Sequence, residues 1–169
     1  MDYKISRPSW DDWLMGMCFW VSLRSPDPAT KHGAILCNER HQILGVGYNA
    51  FPRGCKDSEM PLSRPEKYDV IVHAEENCLL NSQNLLLHSG LVMYITGFPC
   101  SRCFVKIMQC NIKKIVYGPL SSVCVPDKQI EIVNTLAREA GIQLQEYRGS
   151  FSCLKNIDLF KGLLSFSSE

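Results

Sequence analysis

Two short motifs of metal-binding residues constrain this chain more than any other feature. The first places Glu75 two positions after His73, and the second places Cys100 and Cys103 directly after Pro99. An imidazole and two thiolates are typical zinc ligands, and three protein ligands leave a fourth position open for water. A glutamate beside the histidine can carry protons for a reaction at that position. The motifs therefore predict a catalytic zinc site with ligands His73, Cys100 and Cys103 and with Glu75 as the acid–base residue.

Both motifs are expected at the beginnings of helices. Cys100 and Cys103 are three positions apart, which places both sulfurs on one side of a helical turn. The positive end of a helix favours their thiolate forms. His73 and Glu75 can reach the same small volume only in a first helical turn, where the helix end faces the site. The spacing therefore predicts two helix N-termini that face one metal ion.

A structural zinc site is the alternative. Such a site uses four protein ligands, and Cys78, Cys55 or His32 could supply the fourth. A C-x-x-C pair alone would leave both interpretations open. The combination H-x-E followed by P-C-x-x-C is the signature of zinc-dependent nucleobase deaminases, and it favours the catalytic interpretation.

The composition is that of an ordinary globular domain. The chain has 169 residues, of which 46% are hydrophobic and 21% charged, and its formal net charge is +1. We expect one domain over residues 1–169, with its core at about residues 9–147 and a tail at about residues 148–169. The lack of a basic excess disfavours a nucleic-acid-binding surface.

The cysteines and the apolar pattern indicate a cytoplasmic, reducing compartment. Nine cysteines are scattered singly apart from the pair at 100 and 103, whereas a disulfide scaffold is normally shorter and rich in loops. The mixed charge of residues 1–4 is not that of a secretory signal. No apolar run approaches the roughly 20 residues of a membrane-spanning helix. We therefore expect neither export nor membrane insertion.

The hydrophobic periodicity predicts elements in the order α-β-β-α-β-α-β-α-β. Ser9 is expected to cap the first helix, which must end before Ser25-Pro26 because proline cannot continue a helix. Further helices are expected at residues 72–86, 100–110 and 127–140, strands at 33–37, 43–48, 91–96, 112–117 and 142–145, and a long loop at 49–69. Strands that alternate with helices after a first hairpin imply an α/β fold, with a mixed five-stranded sheet covered on both faces.

Residues 10–147 resemble the cytidine/deoxycytidylate deaminase superfamily, and most of all its deoxycytidylate deaminase branch. R-S-P-D-P at residues 24–28 resembles the family's R-S-x-D-P turn, and H-G-A-I-L at 32–36 resembles its V-G-A-x-I strand. G-V-G-Y-N-A-F-P at 45–52 resembles G-x-G-Y-N-G-x-P, and G-C-K-D at 54–57 resembles the G-C-x-D that follows it. H-A-E-E-N at 73–77 resembles H-A-E-x-N.

The resemblance implies a cytidine-deaminase-like three-layer α-β-α fold and the hydrolytic deamination of a deoxycytidine nucleotide, dCMP to dUMP and ammonia. It implies one catalytic Zn²⁺, whose hydroxide attacks C4 while Glu75 shuttles the protons. Ala74, Phe98 and Pro99 would line the base pocket.

The resemblance also implies contacts for the rest of the nucleotide. Asn49 would bind the sugar 3′-hydroxyl, and Arg24, Ser25 and Lys31 would form part of the phosphate end. The simpler interpretation of Arg24 and Lys31 is solvated charge, and that of Asn49 is an ordinary turn residue.

The chain departs from the family pattern in the loop that follows Asn49. Ala50 stands where the family has glycine, and Arg53 follows the proline. Because this loop belongs to the family's regulatory nucleotide site, Arg53 and Gly54 are candidates for a regulatory or phosphate-binding loop. A basic residue at position 53 is compatible with a di- or triphosphate, and a triphosphate would bring Mg²⁺ with it.

Several alternatives remain at this stage. The same chemistry could act on dCTP or on a modified cytosine nucleotide. A polynucleotide-editing deaminase would need a basic groove, and a silent regulatory relative would be expected to lack Glu75. Trp10, Trp13 and Trp20 give the first helix more apolar surface than one face needs, which favours burial in a homo-oligomer, whether dimer, trimer or hexamer.

Overall fold

A five-stranded mixed sheet forms the centre of the fold. The computed structural model describes residues 7–121 and 125–150. In chain order the strands are β1 (Gly33–Cys37), β2 (Ile43–Tyr48), β3 (Val92–Ile95), β4 (Lys114–Tyr117) and β5 (Gln143–Glu146). They lie in the order β2-β1-β3-β4-β5, with β1 antiparallel to both neighbours and β3, β4 and β5 parallel. The predicted mixed sheet is confirmed.

The described residues form five helices, one more than the four that the sequence predicts. They are α1 (Trp10–Ser22), α2 (Lys67–Val70), α3 (Ala74–Asn81), α4 (Ser101–Gln109) and α5 (Asp127–Ala140). Short 3-10 turns occupy Asp57–Glu59, Leu85–Leu87 and Pro119–Ser121. Among the described segments, no helix has the length and apolarity that crossing a bilayer requires.

Helices cover both faces of the sheet and so produce three layers. Every residue of β1 is buried, which is typical of a strand covered on both sides. Successive side chains of a strand point to opposite faces. Leu36 joins Cys78 of α3, Phe104 of α4 and Val133 of α5 in one buried cluster, whereas Ile35 joins residues of α1 in the other.

The first helix begins and ends where the sequence predicts. The Ser9 hydroxyl accepts a hydrogen bond from the Asp12 N–H at 3.0 Å, and the helix ends before the prolines of the following turn. Its first turn is tied to the sheet, because the Tyr94 hydroxyl donates to Asp11 at 2.6 Å and the Tyr147 hydroxyl donates to Asp12.

Two elements differ from the expectation. The helix predicted at residues 72–86 is the shorter α3, because Ser82 is extended, its hydroxyl bonds the Cys78 carbonyl at 2.7 Å, and Asn84 is left-handed with φ 54°. The loop predicted at residues 49–69 contains the start of α2, whose Lys67 is buried. Most of the predicted tail, residues 151–169, lies outside the described residues.

Candidate active site

Two helix beginnings meet at one point, as the motif spacing predicts. His73 precedes α3 and Cys100 precedes α4, and both have extended N-cap backbones, with ψ of 158° and 160°. Backbone hydrogen bonds between Ala50 and Val72 hold the chain extended just before His73. Gly47 of β2 allows α3 to approach closely, since a Cβ there would lie 2.7 Å from the Cα of Cys78.

The three predicted ligands form one cluster. The His73 Nδ1 lies 3.6 Å from the Cys100 sulfur and 3.3 Å from the Cys103 sulfur, and all three ligand atoms lie within 4.8 Å of one another. Tetrahedral zinc, with Zn–S of about 2.3 Å and Zn–N of about 2.1 Å, needs ligand separations of about 3.6 Å. The donor set therefore fits Zn²⁺.

The cluster has the composition of a site with an open coordination position. In the described part of the chain, no fourth histidine, cysteine or carboxylate belongs to it. Cys78, Cys55 and His32, which could have completed a structural site, lie outside it. Three protein ligands are typical of catalytic zinc.

The protonation of the site reflects close polar contacts and burial. The hydrogen bond with Cys103 lowers the pKa of Cys100, while the same contact and burial raise the pKa of Cys103. The hydrogen bond to Cys100 raises the pKa of His73. Because metal ligands must be deprotonated, loading the site releases protons.

Glu75 lies in the same site as a buried carboxyl. Its side chain follows the His73 N-cap in the first turn of α3 and is only 9% exposed. Burial raises the pKa of Glu75 above its ordinary value, against the opposing charge of His73. A carboxyl with a raised pKa beside a metal site can both accept and return protons.

A pocket lies beside the ligand cluster and Glu75. Its lining comes from the segment before β1, from α2 and the residues that precede α3, from the end of β3, and from Cys100. Phe98 contributes an aromatic wall and packs edge-on against Tyr117, with ring centres 5.1 Å apart. The arrangement places a pocket with an aromatic wall next to a metal-binding cluster and a buried acid.

Comparison with known proteins identifies the family. A family model described as the cytidine and deoxycytidylate deaminase zinc-binding region matches residues 8–119. The chain belongs to this family. A deoxycytidylate deaminase of Mus musculus is 30% identical over 149 residues, which cover 85% of this chain and 82% of the mouse protein. A probable deoxycytidylate deaminase of Drosophila melanogaster is 38% identical over 119 residues, which cover 64% of this chain but only 58% of that protein.

A solved structure shares the fold of this family member. The dCMP deaminase from the cyanophage S-TIM5 in apo form aligns with a TM-score of 0.61 and 22% identity, covering 84% of this chain and 100% of that chain. The cyanophage enzyme in complex with dCMP and dUMP aligns with a TM-score of 0.60. The likeness confirms the α/β deaminase fold.

The pocket contains some of the predicted nucleotide-binding residues. Ala74, Phe98 and Asn49 line it, whereas Pro99 is buried beside it without lining it. Asn49 also holds the backbone of the segment that precedes β1. Its side-chain oxygen accepts from the His32 N–H at 2.7 Å, and its amide donates to the Thr30 carbonyl at 2.9 Å.

The structure does not bring the predicted phosphate residues to the pocket. Arg24 is exposed, and neither it nor Ser25 or Lys31 contributes to the lining. The Lys31 ammonium donates to the Ser25 carbonyl, and the buried Ser25 hydroxyl accepts from the Asp27 N–H at 3.2 Å. These contacts shape the turn after α1.

The predicted regulatory loop also lies outside the pocket. Arg53 donates to the Asn81 side chain at the end of α3. Gly54 has φ 90°, a backbone conformation that favours glycine, and nothing lies within 4 Å of where its Cβ would be.

Sequence reasoning missed a second set of pocket residues. The Lys67 ammonium lies 2.8 Å from the Asp27 carboxylate, and both side chains are only 3% exposed. Arg64 lies 5.5 Å from the ring centre of Tyr68, and both line the pocket. Three of these residues lie in the segment predicted as loop, where charged residues carry no signal of burial.

Proposed function

We propose that this protein is a zinc-dependent hydrolase that converts dCMP and water into dUMP and ammonia. The observation that carries the proposal is the His73, Cys100 and Cys103 cluster beside the buried carboxyl of Glu75. The relatives named deoxycytidylate deaminase, and the cyanophage enzyme solved with dCMP and dUMP, support the choice of substrate.

The side chains of the pocket have separate tasks in this reaction. His73, Cys100 and Cys103 would hold Zn²⁺, which would supply the Lewis acidity that makes water a nucleophile near neutral pH. Glu75 accepts a proton from the attacking water and returns protons to the ring N3 and to the departing amine. The Ala74 N–H lies in the first turn of α3, where backbone N–H groups have no hydrogen-bond acceptor within the helix. It can therefore donate to the carbonyl of the base. Phe98 packs against the base.

Arg64 is the group in the pocket best suited to a phosphate. Lys67 also lines the pocket, but its charge is balanced by the buried Asp27 carboxylate. Arg64 has no ion-pair partner among the described residues, and its guanidinium rests on the Tyr68 ring. A guanidinium presents several N–H donors that match phosphate oxygens. We therefore assign the 5′-phosphate contact to Arg64 in place of Arg24, Ser25 and Lys31.

Ammonia release from a panel of substrates tests the function. The zinc-loaded protein is incubated with dCMP, dCTP, CMP, deoxycytidine and a short cytosine-containing oligonucleotide. We expect the highest kcat/KM on dCMP. A preference for dCTP would keep the deamination chemistry but contradict dCMP as the substrate. Mg²⁺ and the loop of Arg53 and Gly54 would then be the candidates for binding the triphosphate. Activity only on the oligonucleotide, or on none of these compounds, would overturn the proposal.

Replacing Arg64 by alanine tests the phosphate contact. We expect KM for dCMP to rise about tenfold, because a charge-assisted hydrogen bond at a partly exposed site contributes about 1.5 kcal/mol. The kinetics on deoxycytidine, which has no phosphate, should not change. Arg24→Ala is the matched control, since Arg24 is also exposed but lies outside the pocket. A rise in KM with Arg24→Ala and none with Arg64→Ala would contradict the assignment.

The exposed aromatic residues of α1 support the proposal that copies of this chain assemble. Trp10 and Trp13 are 53% and 39% exposed, and their rings meet edge-on at 5.7 Å. A dimer, trimer or hexamer would bury this surface.

The described cysteines are all free thiols, which supports the proposal of a reducing, cytoplasmic compartment.

A further inference from the structure

His32 is a polar residue at a position where the family pattern has an apolar one. It lies immediately before β1, in the place of the valine of the V-G-A-x-I pattern. Its side chain lines the same pocket as His73 and Glu75. Neither the zinc cluster nor the proposed mechanism uses it.

The neighbouring threonine determines which ring nitrogen of His32 carries the proton. The Thr96 hydroxyl oxygen accepts the Gly33 N–H at 3.1 Å and lies 3.0 Å from the His32 Nδ1. Thr96 is fully buried, and within the described ranges His32 Nδ1 is the acceptor available to its hydroxyl proton. If Nδ1 were protonated, this hydroxyl would lose its acceptor, at a cost of about 1–3 kcal/mol. The Thr96 hydroxyl therefore donates to Nδ1, and the neutral ring carries its proton on Nε2.

The backbone around His32 is held on both sides. The His32 N–H donates to the Asn49 side chain at 2.7 Å, and the His32 carbonyl accepts from the Asn49 N–H at 3.3 Å. Asn49 also holds the Thr30 carbonyl at 2.9 Å. Burial lowers the pKa of His32, which favours the neutral ring. The ring is thus fixed in position and in tautomer before any ligand arrives.

We propose that the Nε2–H of His32 donates a hydrogen bond to an oxygen of the bound nucleotide. No partner of Nε2 is found among the described residues, and the ring faces the pocket. The zinc cluster and Glu75 occupy the amine end, and the phosphate is assigned to Arg64. The acceptor left for His32 is therefore a neutral oxygen, either a sugar hydroxyl or the carbonyl of the base. This inference rests on the proposed function and adds a binding residue that the family pattern does not contain.

Two variants of His32 test the contact on the zinc-loaded full chain. His32→Val restores the family residue, and His32→Gln keeps an N–H donor. We expect His32→Val to lower kcat/KM for dCMP about tenfold, which is the effect of one lost hydrogen bond of about 1.4 kcal/mol. His32→Gln should recover most of the lost kcat/KM. A 2′,3′-dideoxycytidine monophosphate substrate separates the acceptors. The loss disappears with this compound if the 3′-hydroxyl is the acceptor and remains if the base carbonyl is.

A readout independent of activity separates this inference from the proposed function. Nitrogen-15 NMR of the labelled protein should show a protonated Nε2 and an unprotonated Nδ1 for His32. A protonated Nδ1 would overturn the inference, even in an active enzyme. Wild-type kinetics for His32→Val on dCMP would also overturn it and leave the deaminase assignment intact. Absence of any cytosine nucleotide turnover by the wild-type protein would overturn the proposed function and, with it, the nucleotide as the ligand of His32.

Discussion

Glu75→Gln is expected to abolish the conversion of dCMP to dUMP while leaving zinc bound. The glutamine amide keeps the shape of the side chain but cannot accept a proton from water or return one to the ring and the amine. Because general acid–base catalysis contributes about a hundredfold to ten-thousandfold, and Glu75 serves several transfers, we expect kcat to fall at least about a thousandfold. Zinc content by metal analysis should remain at the wild-type value, since Glu75 is not in the ligand cluster.

The neighbouring glutamate provides the matched control. Glu76 lies one position along α3, is paired with the Lys106 ammonium and does not line the pocket beside Glu75. Glu76→Gln should therefore keep kcat within about twofold of wild type, as expected for a partly exposed ion pair. A Glu75→Gln protein that retained zinc and the wild-type rate of ammonia release would contradict the mechanism.

Asp27→Ala is expected to cause a large loss of stability. The substitution removes the partner of Lys67 and leaves an uncompensated ammonium among buried side chains, which typically costs about 3–5 kcal/mol. It also removes the acceptor of the Ala29 and Thr30 N–H groups. Urea unfolding of the full chain measures the change in the free energy of unfolding.

An exposed ion pair supplies the comparison. The Lys56 ammonium lies 3.2 Å from the Glu59 carboxylate, but these side chains are 78% and 63% exposed. Glu59→Ala should cost less than about 1 kcal/mol because water already solvates both charges. If Asp27→Ala cost no more than Glu59→Ala, the buried pair would have no structural importance. The double variant Asp27→Asn/Lys67→Met, which leaves no unpaired charge, should be more stable than Asp27→Ala.

The buried pair also makes stability depend on pH. Burial raises the pKa of Asp27, but the hydrogen bond from Lys67 and those from Ala29 and Thr30 outweigh it, so the pKa lies below its ordinary value. The unfolded chain therefore binds this proton more readily than the folded chain. The contribution of Asp27 is fully present above the unfolded pKa of about 3.9 and is lost as the pH falls toward the lowered folded pKa.

Local sequence signals predicted the elements that carry the ligands. The bounds of β1, β2 and α5 agree with the apolar pattern and with its turn residues, including the left-handed Gly141 after α5. The ligands His73, Cys100 and Cys103 could be assigned from the sequence. Their spacing allows them to meet only if two helices begin at the same site.

The remainder of the pocket could not be predicted because it depends on contacts between distant segments. Asp27 and Lys67 are 40 positions apart, and their pairing becomes apparent only when the chain has folded. Arg24 and Arg64 both lie next to a turn proline or serine in the sequence, but only Arg64, three positions before α2, lines the pocket. Hydrophobic periodicity carries no information on which exposed cation faces a cavity.

The most direct test of the central claim is to measure bound zinc and dUMP formation on the same samples. The protein is stripped with a chelator and reconstituted in steps, and each sample is assayed with dCMP. The account predicts that dUMP formation rises in proportion to bound zinc up to one ion per chain. A chain that binds one zinc ion and forms no dUMP, or a stripped chain with undiminished activity, would contradict it.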